Sequence, residues 1–121
     1  MGTFRMEQAT TDVALDKIAA LANEIWHEHF VPIIGLDQVN YMVGKFQSYP
    51  ALKDQVKEGY EYYRIFCGDA FAGYAGIRPE EDALFLSKLY LHKDYRGQHL
   101  STKALEFLKD YCHKHGLTKI W

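Results

Sequence analysis

Phe85-Leu86-Ser87-Lys88-Leu89-Tyr90-Leu91-His92-Lys93-Asp94-Tyr95-Arg96-Gly97-Gln98-His99-Leu100-Ser101-Thr102-Lys103-Ala104-Leu105 is the stretch from which the fold can be read. Its first part carries apolar residues on both faces (Phe85, Leu86, Leu89, Tyr90, Leu91), as expected of a central strand covered on both sides. A charged turn containing Gly97 follows, from His92 to Gln98. From Leu100 the apolar residues fall at 100, 104, 105, 108, 111 and 112, which is helical spacing. A strand feeding directly into a helix leaves unpaired backbone N–H groups at the helix start, backed by the positive end of the macrodipole. That arrangement is an anion site, suited to phosphate.

Upstream, residues 3–9 predict a short strand. Thr10, Thr11 and Asp12 offer N-cap oxygens to a helix whose inner stripe is Leu15, Ile18, Ala19, Ala22, Ile25 and Trp26. Pro32 is expected to stop it, leaving 32–35 as a connector. Asp37 can cap a second helix with Val39, Met42, Val43 and Phe46 facing inward. Ser48 and Pro50 open a third, with Gly59 as its stop. Tyr60 to Cys67 then alternates with period 2, Gly68-Asp69 supplies a hairpin turn, and Phe71 to Ile77 returns with bare backbone at Gly73 and Gly76. Residues 79–82 read as a loop and Ala83 to Leu91 as the strand quoted first. The helix that follows ends near His115 and Gly116, and Leu117 to Trp121 begins a last strand. A right-handed crossover would place that strand parallel to Ala83–Leu91. The whole is an α+β fold around a mixed sheet with helices on both faces, expected to be one domain over residues 1–121.

Composition narrows the function classes. A formal charge of −2 gives no basic excess for nucleic acid or an anionic membrane, so neither is expected as a partner. Cys67 and Cys112 fall in a strand and on a helix face, where buried thiols are expected rather than a disulfide. There is no apolar leader in the first residues, no run of membrane-spanning length, and no myristoylation pattern at Gly2, because residue 6 is Met. A cytoplasmic protein is therefore expected. His27 and His29 lie on different sides of their helix and make poor co-ligands, so no metal site is expected.

Leu89 to Ser101 resembles the acetyl-CoA motif of GNAT-family N-acetyltransferases, whose core is Arg/Gln-x-x-Gly-x-Gly/Ala, and the order of elements agrees over nearly the whole chain. The resemblance implies acetyl-CoA as co-substrate and acetyl transfer to a primary amine of a small molecule or a protein. It implies that the backbone of Leu89, Tyr90 and Leu91 pairs with the pantetheine arm, and that the Leu91 N–H polarises the thioester carbonyl. It implies a pyrophosphate cradle from Arg96, Gly97, Gln98, His99, Leu100, Ser101 and Thr102. After the first long helix the family pattern borders the acceptor pocket, which makes Trp26, Glu28 and His29 candidate substrate contacts.

Three departures stand beside these expectations. His99 occupies a position usually held by glycine and Ser101 one usually held by glycine or alanine, and a Cβ there restricts φ. Ser87 stands where a carboxylate base is common. The usual C-terminal helix and two strands are missing, and with them the tyrosine that protonates the thiolate. The general base and acid therefore stay unassigned. The sequence is expected to be a fragment, or one whose sheet a second copy completes as a homo-oligomer. Two other readings follow from the same departures: an acyl-CoA-binding domain with little catalysis, and a non-catalytic α+β interaction domain.

Overall fold

The computed structural model describes residues 3–121; Met1 and Gly2, including the Gly2 myristoylation question, lie outside the described residues. Strand β1 (Phe4–Gln8) leads to helix α1 (Asp12–Ile34), α2 (Leu36–Met42), a single π-helical turn (Val43–Gln47) and α3 (Tyr49–Lys57). Strands β2 (Glu61–Cys67), β3 (Ala70–Pro79) and β4 (Ala83–Leu91), helix α4 (Leu100–His115) and β5 (Lys119–Ile120) complete it. The sheet order is β1-β2-β3-β4-β5. All neighbours are antiparallel except β4 and β5, which are parallel, as the strand–helix–strand pattern predicts.

The caps read from sequence are in place. Thr11 Oγ1 accepts from the Ala14 N–H at 3.1 Å and Ser48 Oγ from the Ala51 N–H at 3.4 Å. Helices cover both faces. On one, Ala104, Leu108 and Cys112 of α4 pack on Tyr63, Ile65, Ala75, Ile77 and Leu84. On the other, Ala14, Leu15, Ile18, Ala22 and Ile25 of α1 join Leu52, Tyr62 and Tyr74. Trp26, Val39 and Val43 form a smaller third cluster.

Several expectations need correction. Helix α1 does not stop at Pro32 but runs through it to Ile34, and the Gly35 N–H bonds the Val31 carbonyl at 2.9 Å. A proline so near the end removes one intrahelical bond and leaves little helix beyond it to be kinked. Phe46 does not face inward but is 38% exposed, and Gln47 is buried instead. The π turn is the cause, since its wider i→i+5 spacing advances the inward direction by a residue. Leu105 is exposed, and Cys67 is half-buried rather than buried. No disulfide joins it to Cys112.

Strand β4 is not covered on both faces throughout: Ala83, Leu84 and Lys88 are buried, and its other residues are half-buried. It pairs with β3 along its whole length. With β5 it pairs only at Ala83↔Lys119 and Leu84↔Ile120, followed by a Leu86 N–H to Trp121 carbonyl bond of 2.8 Å.

Gly73 shows how closely β3 and β4 approach. A Cβ there would lie 2.3 Å from the Tyr90 carbonyl oxygen and 2.7 Å from Leu91 Cδ2. Gly73→Ala is therefore expected to cost about 2 kcal/mol or more in stability, because backbone must move to admit the methyl group. A fall in the urea midpoint, with a slope unchanged from the parent, is the measurement that checks it.

Candidate active site

The site begins with a β-bulge. Gly76 pairs with Lys88 and Ile77 with Leu86, so Ser87 is an extra residue on β4. Before the bulge, the outward groups of β4 are those of Leu84 and Leu86: the Leu84 carbonyl accepts from the Trp121 N–H at 3.0 Å and the Leu86 N–H donates to the Trp121 carbonyl, just past β5. Beyond it, the His92 N–H bonds the Ala72 carbonyl of the β3 side at 2.8 Å. In an antiparallel ladder bonded pairs alternate, so Tyr90 and Lys88 also bond β3 while Leu89 and Leu91 turn their amides outward. No strand among the described residues reaches these outward amides. The bulge thus produces a short free edge on a strand that is paired on both sides at its start.

The turn after β4 is tied to α1 by two polar contacts, one of them an ion pair from Arg96. His92 Nε2 lies 3.0 Å from a Glu24 oxygen, and an Arg96 Nη lies 3.1 Å from a Glu28 oxygen. Glu24 and Glu28 are one turn apart on α1, which brings both carboxylates to the same side. Arg96 Nε also donates to the Leu91 carbonyl at 3.1 Å. Gly97 takes φ +79°, and His99 takes φ +63°, ψ +18°, as the one non-glycine with positive φ among the described residues. The glycine geometry of the motif is therefore kept at His99, at a cost of roughly 1–2 kcal/mol. His99 makes no side-chain cap bond to α4, whose first turn holds no acidic residue. With α1 and α3 both capped, the N–H groups opening α4 stay available to an anion.

Two cavities flank β4. The smaller, of about 270 Å³, is lined by Ile25, His29, Phe30, Leu89, Tyr90, Leu91, Arg96 and Ser101. It joins the free edge to the start of α4. The larger, of about 580 Å³, lies over the bulge beneath the π turn and α3. Its walls include Trp26, Phe46, Tyr60, Phe85 and Tyr90, with Ser87 and Lys88 at its base. Tyr90 lines both.

Of the three candidate acceptor contacts, Trp26 lines the larger cavity and His29 the smaller one. Trp26 is only 7% exposed, with ring centroids 4.3 Å from Phe30 and 5.8 Å from Tyr90. Its indole N–H has no acceptor within hydrogen-bonding geometry. Glu28 is occupied by Arg96, and His27 is bound to Asn40 Oδ1 at 2.7 Å, tying α1 to α2. No group of residues fit to hold a metal exists among the described residues.

Sequence reasoning missed Lys88. It is 7% exposed, and its Nζ donates to the Phe46 carbonyl at 2.8 Å, Gln55 Oε1 at 2.8 Å and the Tyr62 hydroxyl at 2.5 Å. The Tyr62 hydroxyl in turn donates to Gln55 Oε1, and Gln55 Nε2 donates to the Phe46 carbonyl at 3.2 Å. Burial lowers the Lys88 pKa to about 8. A lone lysine in an otherwise apolar strand was the available signal.

The sequence profile described as "Acetyltransferase (GNAT) family" matches residues 18–121. The chain belongs to that family. Members transfer an acetyl group from acetyl-CoA, and this chain is an N-acetyltransferase by that membership. Its fold is similar to that of a PaiA N-acetyltransferase from Thermoplasma acidophilum in complex with coenzyme A. The TM-score is 0.79 at 15% identity, covering 95% of this chain and 75% of that one. It is similar to a ribosomal-protein-alanine N-acetyltransferase from Escherichia coli, with a TM-score of 0.68 at 20% identity over 98% of this chain and 65% of that one. An aminoglycoside acetyltransferase from an uncultured soil sample, in complex with sisomicin, gives 0.66 at 9% identity over 98% and 75%. Identities this low show the fold alone. No curated protein matches the sequence significantly. No helix among the described residues is long and apolar enough to cross a membrane.

Two expectations follow for this GNAT site. A β-branched residue is strained in the left-handed region, so His99→Val should lower stability by about 1–2 kcal/mol, read from thermal unfolding, whereas His99→Gly should not. The second concerns pH. Lys88 sheds its proton near pH 8 in the folded state, whereas its ordinary value is 10.5. The unfolded chain therefore binds more protons above pH 8, and stability rises with pH. Above the ordinary tyrosine value of 10.0 the sign reverses, because burial raises Tyr62, Tyr63 and Tyr74 and the unfolded chain ionises first. Urea midpoints taken from neutral pH upward should climb and then fall, and Lys88→Met should abolish the climb.

Proposed function

We propose that this chain transfers the acetyl group of acetyl-CoA to a primary amine, carried by a small molecule or a protein, with the larger cavity receiving the amine. The outward amides of Leu89 and Leu91 at the bulged edge are the observation that carries this reading. An extended pantetheine arm offers the polar groups those amides need, and Leu89, Tyr90 and Leu91 hold it as a strand is held. Acetyl-CoA, when bound, supplies the acetyl group as a thioester. The Leu91 N–H then faces the carbonyl on which charge develops during attack, and stabilises it.

The N–H groups of Gly97, Gln98, His99, Leu100, Ser101 and Thr102 cradle the pyrophosphate at the α4 terminus, where the Ser101 hydroxyl adds a donor. Arg96 serves as a charged partner by exchanging Glu28 for phosphate. Trp26 acts as a wall of the amine pocket and His29 as a neighbour of the cofactor cleft. Glu28 regulates access to Arg96 and makes no contact with the amine. A second reading, acyl-CoA binding without turnover, draws on the absence of any carboxylate lining the smaller cavity among the described residues.

Calorimetric titration with acetyl-CoA should give saturable binding, followed by thiol release with at least one member of a primary-amine panel. Gly97→Val, which forces a side chain to φ +79°, should weaken binding by about tenfold. Binding without thiol release favours the second reading, and no binding overturns both. Glu28→Gln should tighten acetyl-CoA binding up to about fivefold, the worth of one exposed ion pair, with the titration as readout.

A further inference from the structure

Lys88 is a buried ammonium in the base of the larger cavity, and the proposed chemistry does not otherwise use it. All three of its donor positions are filled by protein oxygens, those of Phe46, Gln55 and Tyr62. An incoming amine can therefore neither bond to it nor hand it a proton. What reaches the cavity is its field. The side chain starts three strand positions from Leu91, which is about 10 Å along β4.

The other charges facing this space are weaker competitors. Asp54 of α3, Glu58 just past it and Lys45 of the π turn line the same cavity, but all three are exposed residues and water and salt screen them. Tyr62 of β2 and Tyr90 of β4 are uncharged at neutral pH, and burial raises both further. Near the bulge the buried lysine is the charge of longest reach.

We infer that Lys88 acts on the acceptor amine by like-charge repulsion, favouring its neutral, nucleophilic form and selecting weakly basic primary amines over strongly basic or permanently cationic ones. This rests on the larger cavity being the amine pocket. The Lys88 ammonium is held out of water by its own burial, so its charge disfavours a second cation beside it, and the bound amine releases its proton to water. The neutral nitrogen then bonds to the thioester carbon, the carbon–sulfur bond breaks, and the surplus proton on nitrogen passes to the departing thiolate. At neutral pH, below the value of about 8 at which it sheds its own proton, Lys88 stays charged and is a positioning residue rather than a catalytic one. Because it also pins the Phe46 carbonyl beside the π turn, it holds the cavity wall and supplies the field at once.

The test is the pH profile of kcat for thiol release from acetyl-CoA at saturating acceptor, which reports the bound complex, with glycinamide, benzylamine and propylamine as acceptors of ascending basicity. The unaltered chain should favour glycinamide at neutral pH. Lys88→Arg, which keeps the charge, should leave the profile in place below pH 8, where Lys88 itself is charged. Lys88→Met should move its ascending acid-side limb, along which the bound amine loses its proton, up by about one pH unit, with about a tenfold loss at neutral pH. Acetyl-CoA binding by calorimetry should stay intact in both. A Lys88→Met enzyme whose profile has not moved overturns the inference. In case that variant does not fold, the unaltered chain is also tested with choline against its uncharged isostere dimethylbutanol as inhibitors. Weaker inhibition by choline is expected, and equal or stronger inhibition overturns the inference. Thiol release with no amine at all by the unaltered chain, despite acetyl-CoA binding, overturns the amine-transfer reading itself and this inference with it.

Discussion

The site depends on one extra residue in one strand. Ser87 interrupts the ladder between β3 and β4, and the interruption reverses which amides point outward. Leu86 spends its N–H on the Trp121 carbonyl and Leu84 its carbonyl on the Trp121 N–H, just past β5; the amides of Leu89 and Leu91 are left facing a cleft. The same bulge lets Leu84, Leu86, Leu89 and Leu91 all lean toward α4, while Phe85, Lys88 and Tyr90 line the opposite cavity. A regular strand of this sequence would present its outward groups at Lys88 and Tyr90 instead. Gly73 then allows β3 to press against the bulged strand where a methyl group would not fit. An open edge invites aggregation in most sheets. Here the edge is short, recessed between α1 and α4, and proposed to be filled by a ligand.

Around that edge the electrostatics are arranged in two tiers. On the α4 side the loop is held by His92 to Glu24 and Arg96 to Glu28, so the Arg96 guanidinium is partnered by an α1 carboxylate. Exposed pairs of this kind contribute little to stability. Their consequence is for binding, because an anion arriving at the α4 terminus competes with Glu28 for the guanidinium. On the opposite side Lys88 is desolvated, its donors are satisfied, and its charge is shielded from bulk water. The two sides of β4 thus differ in electrostatic character, backbone dipoles toward the proposed phosphate and a fixed buried charge toward the proposed amine.

The order of elements, the strand–turn–helix and the capping residues were legible because each rests on local chemistry: alternation in β2, the Thr11 and Ser48 oxygens, the glycine stop after α4. Phe46 was misjudged because helical spacing was extended through a π turn that no local propensity announces. Pro32 was overweighted because a proline near a helix end removes only one bond. Glu28 read as a substrate contact, since the sequence could not show that Arg96, far along the chain, would reach back to it. Lys88 escaped notice because a single charge in an apolar strand has meaning only once Tyr62, Gln55 and Phe46 close around it.

The sequence alone therefore determined the α+β order, the parallel last strand, and a strand–turn–helix that ends in an uncapped helix start. Those follow from periodicity, caps and one motif, all set by residues close together in the chain. Only the tertiary structure decided that Leu89 and Leu91 face a free edge, that His99 adopts glycine's backbone geometry, that Arg96 meets Glu28, and that Lys88 is a buried cation beneath a cavity. Each of these depends on registers and contacts between distant segments, where a shift of one residue reverses the face and no local preference fixes the outcome.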